Sequence, residues 1–202
     1  MQSYSFLNNY LYFCGKIRKI ICNMKLCVFC SANNGLDPDY IDMARQLALW
    51  AASNGHTIVF GGHDAGLMHT VSKAAKQAGG TVVGVVPRRI EEMGRLSPWL
   101  DEHIPCEDLT DRKQLMMDRS DAFIILPGGI GTLDELFTVT SMKTLDFHQK
   151  PIILWNMKGF WDSLVRCLDD LQQKGVTRKQ WREYITVVSS LEEVKDSLEH
   201  RV

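Results

Sequence analysis

From Lys25 onward the chain alternates short apolar or β-branched runs with longer stretches of helical periodicity, and this alternation restricts it to few architectures. LCVFC (26–30), TIVF (57–60), TVVGVV (81–86), DAFIIL (121–126) and PIILW (151–155) read as buried strands, with a short TVV (186–188) as a further one. Between the first two, DPDYIDMARQLALWAASNG sets Ile41, Ala44, Leu47, Ala48 and Ala51 at helical spacing and stops at Gly55. Further helices are expected at about 65–78, 110–119, 132–145, 159–173 and 191–199. Strands that are apolar throughout and separated by helices belong to a parallel sheet covered on both faces. The expected fold is therefore α/β, a Rossmann-like doubly wound parallel sheet with helices on both faces, in a single domain over residues 24–202.

With 202 residues, 45% of them hydrophobic, the chain has the material for one good core. Its net charge of -1 gives no general field to recruit nucleic acid or an anionic membrane, so an anionic ligand must be held locally. Residues 1–23 stand apart: their apolar patches are short and broken by Asn, Gly and the basic cluster Lys16, Arg18 and Lys19. A membrane span needs about 20 continuous apolar residues, which this segment lacks; with Met24 opening the first strand, it is expected to be a poorly ordered N-terminal extension or the product of an upstream start site. Six cysteines (Cys14, Cys22, Cys27, Cys30, Cys106, Cys167) follow no disulfide framework, which fits reduced thiols in a cytoplasm. Cys27 and Cys30 form a CxxC inside a strand, where residues three apart point to opposite faces, and this disfavours a shared metal or a redox pair.

In doubly wound sheets ligands sit beyond the carboxyl ends of the strands, near a switch in strand order. Three strands run there into polar or glycine-rich loops that lead to helices: FCSANNG, VFGGHDAGLM and ILPGGIGT, whose tips should converge. A glycine loop feeding a helix N-terminus offers free N–H groups and the positive end of a dipole, which is a phosphate site. Neither glycine loop carries GK[ST] or GxGxxG, which disfavours a generic ATPase or dehydrogenase. Thr132 to Glu135 fits a T-x-x-E capping box, a structural use for the glutamate. Beside a phosphate loop an acidic side chain needs a cation to be of use. Arg112 is one candidate, on a helix that Thr110 could cap, although a solvated surface arginine is the blander reading. Arg88 and Arg89 could clamp a phosphate, or equally lie in a solvated loop.

PGGIGTLDE at 127–135 resembles the PGGxGTxxE signature of the LONELY GUY (LOG) family, phosphoribohydrolases that release cytokinin bases from their nucleotides. FCSAN, the GG and GLM of Gly61 to Met68, VVPRR, DRKQLM and HQKP at 148–151 fall in that family's order, and the similarity runs over roughly residues 25–197. The resemblance implies hydrolysis of the N-glycosidic bond of a purine nucleoside 5′-monophosphate to free base and ribose 5-phosphate, with AMP and cytokinin-type N6-substituted adenine among the candidates. By the same resemblance Arg112 and Glu135 are the catalytic pair, and Gly128, Gly129, Gly131 and Thr132 form the phosphate loop. Ser31, Gly61, Gly62, Arg88, Lys113 and Met116 then belong around the nucleotide. Glu135 would stabilise an oxocarbenium-like centre and activate water, with Arg112 placing the ribose phosphate or holding Glu135 ionised. No cofactor and no metal is implied.

The resemblance also implies a homodimer with sites near the subunit interface. The stripe Leu133, Leu136, Phe137, Thr140, Met142 and Leu145 fits such an interface or ordinary core packing. Two positions depart from the family pattern: His63 stands where GGG or GGS is usual, and His69 follows Met68. His63 could touch phosphate, protonate the leaving base, or be no more than a tolerated loop side chain. Lys143 to Phe147 replaces a more apolar, glycine-containing run, which bears on base preference. The competing reading is a non-catalytic nucleotide or cofactor carrier on the same sheet, and the joint presence of Arg112 and Glu135 is what discriminates against it. An older label for such chains, lysine decarboxylase, would need an aldimine lysine with pyridinium and phosphate partners, and no such set stands out.

Overall fold

A computed structural model describes residues 23–199. The extension expected over 1–23 lies, apart from Asn23, outside the described residues. Seven strands, β1 (Lys25–Phe29), β2 (Thr57–Phe60), β3 (Thr81–Pro87), β4 (Glu102–Cys106), β5 (Ala122–Ile125), β6 (Ile152–Trp155) and β7 (Thr186–Val188), form one sheet in the order β4-β3-β2-β1-β5-β6-β7. Every pairing is parallel; Leu26 sits opposite Ile58 on one side and Ala122 on the other. Strand order reverses between β1 and β5, so ligands are expected above those two carboxyl ends.

The helices are α1 (Pro38–Ser53), α2 (Gly66–Gln77), α3 (Arg88–Glu92), α4 (Leu109–Asp118), α5 (Ile130–Thr144), α6 (Asp162–Gln173) and α7 (Leu191–Glu199). Two-residue alternation divides the strands between two cores. Leu26, Val28, Ile58 and Phe60 pack with Ala44, Leu47 and Val71 on one face, while Cys27, Phe29, Val59 and Phe123 pack with Met116, Leu136 and Leu168 on the other. Cys27 and Cys30 accordingly fall into opposite cores, and both are free thiols. Among the described residues no helix is long and apolar enough to cross a membrane.

Four local features differ from expectation. Strand β4 was not foreseen because EHIPC exposes Glu102, His103 and Pro105 and so lacks an apolar run; it survives at the sheet edge, where proline is tolerated. Helix α3 is too short to show a period. Thr110 does not cap α4: Asp108 does, its carboxylate accepting from the N–H groups of Thr110 and Asp111 at 2.7 and 2.9 Å. The T-x-x-E capping box does not form, since α5 begins at Ile130, two residues before Thr132, with Gly129 as its cap. Thr132 and Glu135 are therefore buried inside the helix, and the glutamate is free for another partner.

Candidate active site

The three loops meet as expected. Ser31 N–H donates to Pro127 C=O at 3.0 Å, tying the β1 loop to the β5 loop, and Leu67 N–H donates to Ser31 C=O at 2.9 Å, tying α2 to the β1 loop. Between them lies a cleft of about 280 Å³. Its lining brings together Ser31 and Asn33 after β1, Gly61 and His63 after β2, and Gly129, Gly131, Thr132 and Glu135 at the start of α5, with Arg112 from α4. The first turn of α5 has backbone N–H groups without helical acceptors, beside the open space above Gly129 and Gly131.

Arg112 and Glu135 form an ion pair, an η nitrogen of the guanidinium donating to Oε1 of the carboxylate. The pair is well shielded, with side-chain exposures of 14% for Arg112 and 3% for Glu135. Burial pushes the Glu135 carboxyl above the usual carboxylate range; the charge and hydrogen bond of Arg112 pull it back, and Asp134 adds to the push. Arg112 thus favours the ionised form of Glu135, as expected, against a desolvation that raises the carboxyl. Nε of Arg112 is buried with no hydrogen-bond partner among the described residues. Burial and the Glu135 charge also raise the Cys30 thiol in the cleft wall, which makes it a poor nucleophile.

The remaining expected residues lie behind or beside the cleft. Met116 is fully buried in the core below the sheet, so it supports Arg112's helix and does not line the opening. Lys113 bonds both carboxylate oxygens of Asp134 at 2.9 Å, offsetting a negative charge next to Glu135. Arg88, at the start of α3, is exposed and pairs with Glu107 at 2.7 Å; its neighbour Ile90 is the residue of that helix that reaches the cleft. Gly62 packs against Val86, and Gly128 against Thr132, so these two glycines shape the loops from behind. Met68 and Ile90 were not singled out as site residues. Their signal was weak, because each follows a glycine loop or a strand end as an ordinary apolar side chain.

A family described as possible lysine decarboxylases matches residues 68–198. A probable cytokinin riboside 5′-monophosphate phosphoribohydrolase from Oryza sativa subsp. japonica is 36% identical over 178 residues, 88% of this chain and 84% of the rice protein. The cytokinin riboside 5′-monophosphate phosphoribohydrolase of Mycobacterium tuberculosis is 37% identical over 171 residues, 85% of this chain and 89% of that one. The chain belongs to the LOG family. Solved structures with the same fold include the molybdenum cofactor carrier protein of Chlamydomonas reinhardtii, with a TM-score of 0.64 and 21% identity over 87% of this chain and 98% of the carrier. For this LOG-family chain the older decarboxylase description has little chemistry to rest on: among the described residues no lysine lines the cleft, and neighbouring Lys113 is engaged by Asp134.

Proposed function

We propose that this chain hydrolyses the N-glycosidic bond of a purine nucleoside 5′-monophosphate, giving the free base and ribose 5-phosphate. The observation that carries the reading is the shielded Arg112–Glu135 pair in a cleft walled by the N-terminal turn of α5. A 5′-phosphate held over Gly129, Gly131 and Thr132 would face backbone N–H groups and the positive helix end. Ser31 and Gly61 complete that wall from the other two loops. Ribose C1′ then lies within reach of Glu135. As the C1′–N9 bond breaks, its electron pair leaves with the base, and the carboxylate faces the positive charge growing on C1′. Water attacks C1′ while Glu135 takes one of its protons. Arg112 fixes the carboxylate through its guanidinium η nitrogen. No metal or organic cofactor enters this scheme.

The working unit is a homodimer in a reducing, cytoplasmic compartment. Supporting the dimer, α5 and the turn after it expose Phe137, Leu145 and Phe147, beside an apolar groove of about 530 Å³ that Trp181, Tyr184 and Ile185 also line. The free Cys27, Cys30, Cys106 and Cys167 support the compartment. The deciding experiment incubates purified protein with AMP, N6-prenylated AMP and the matching nucleosides, and follows free base and ribose 5-phosphate by chromatography. Release from the monophosphates alone is expected. Nucleotide binding without release from any of them would favour a carrier instead.

A further inference from the structure

The scheme above does not use the imidazole in the cleft wall. His63 follows β2 and lines the cleft with Met68 of α2 and Ile90 of α3. Strands β2 and β5 flank β1, so this wall stands two strand spacings, about 10 Å, from the β5 loop. A nucleotide filling this cleft with its phosphate on the β5 loop would set its base toward the β2 side, where Met68 and Ile90 offer apolar surface to a purine face. His63 is also held in place. It bridges to Leu96 through its backbone, Asp64 N–H donates to Arg95 C=O at 2.9 Å, and the Asp64 carboxylate is engaged by His69 Nδ1 at 2.6 Å. The His63 ring itself has no hydrogen-bond partner among the described residues. Burial, with help from the charges of Arg95 and Arg112 and against that of Asp64, holds this imidazole below its ordinary value, so at neutral pH it is an uncharged ring with one N–H donor.

We propose that His63 is the residue that meets the departing base, its ring N–H donating to the purine nitrogen on which negative charge builds as the C1′–N9 bond breaks. This rests on the phosphoribohydrolase reading. The oxygen of water bonds to C1′, the C1′–N9 electron pair goes to the purine, Glu135 takes one proton of the water, and solvent protonates the purine. His63 is unchanged, and its hydrogen bond strengthens only as the leaving group becomes anionic.

The test compares the wild-type protein, His63→Ala and His63→Gln on AMP and on 7-methylguanosine 5′-monophosphate, whose cationic base departs neutral. His63→Ala is expected to lower kcat on AMP about 100-fold with KM nearly unchanged. His63→Gln, which keeps an N–H donor, recovers part of that loss, and the methylated nucleotide loses little with either variant. Unchanged kcat on AMP in His63→Ala, or equal losses on both nucleotides, overturns the proposal while leaving the phosphoribohydrolase reading intact. No release of base by the wild-type protein from any monophosphate overturns both.

Discussion

The loops after β2 and β5 are alike in composition and unlike in what their glycines do. After β2, Gly62 has a φ of +71° and a Cβ there would stand 2.2 Å from Val86 Cγ2; Gly66 has a φ of +56° and a Cβ there would stand 2.4 Å from the Asn33 carbonyl oxygen. These positions exclude a side chain because protein already fills the space and the backbone is left-handed. After β5, Gly129 and Gly131 have no neighbour within 4 Å of a Cβ, and neither has a positive φ. Among the described residues no protein atom opposes a side chain there, and on the proposed reading that open space takes the 5′-phosphate. Gly62 and Gly66 after β2 serve architecture, as does Gly128 after β5, where Gly129 and Gly131 instead leave access.

If that division holds, substitutions on the β5 side should reach turnover and spare the fold, with the reverse on the β2 side. The largest expected effect is at Glu135, one turn into α5. Glu135→Gln keeps the shape and a hydrogen-bonding end, and should lower kcat by about 10³-fold, within the range for a lost general base, while AMP binding by calorimetry persists. Retained turnover would break the comparison at its centre. The wild-type enzyme supplies the matching pH signature. Because burial raises the Glu135 carboxyl above the usual range, the active ionised form is lost as pH falls through that raised value, so kcat/KM declines at a less acidic pH than an ordinary carboxylate would give. Glu135→Gln should remove this acid limb.

Next in size is Gly62→Ala. A left-handed alanine and its overlap with Val86 should together cost about 3 kcal/mol of folding stability, read as a lower denaturation midpoint. Should the midpoint stay put, the β2 loop is not a rigid frame.

This contrast also shows why the sequence was only partly legible. The sheet could be read because the central runs of most of its strands are apolar, which leaves two-sided burial as the one arrangement that covers them; Ile58, Val82 and Ile124 are all fully buried. Strand β4 could not, since an edge strand with Pro105 and exposed Glu102 and His103 has the composition of a loop. The Arg112–Glu135 pair joins residues 23 positions apart through tertiary packing alone. Local rules instead offered Glu135 a capping box and Arg112 a surface; the first fails because the helix starts two residues before Thr132, and the second because Arg112 is shielded in its pair with Glu135. The same limit applies to Met116, whose motif position looks like a substrate contact and whose side chain faces the lower core. Glycine is the extreme case, because residue type cannot tell a space filled by protein from a space kept open.

The smallest effect is the sharpest test, because its two parts have opposite signs. Gly131 is the second residue of α5, and an alanine methyl there meets no protein atom within 4 Å. Helix propensity alone favours alanine, so Gly131→Ala should raise stability by about 0.5 kcal/mol, below the full interior value because the site is in the first turn. With the phosphate held over Gly131 as proposed, that methyl would meet it, and KM for AMP should rise about tenfold, or 1.4 kcal/mol. A stabilised protein with weaker substrate binding is what a glycine kept for access must give. If Gly131→Ala instead lowers the denaturation midpoint and leaves KM alone, the β5 glycines serve packing as the β2 glycines do, and the phosphate must rest on another part of the cleft.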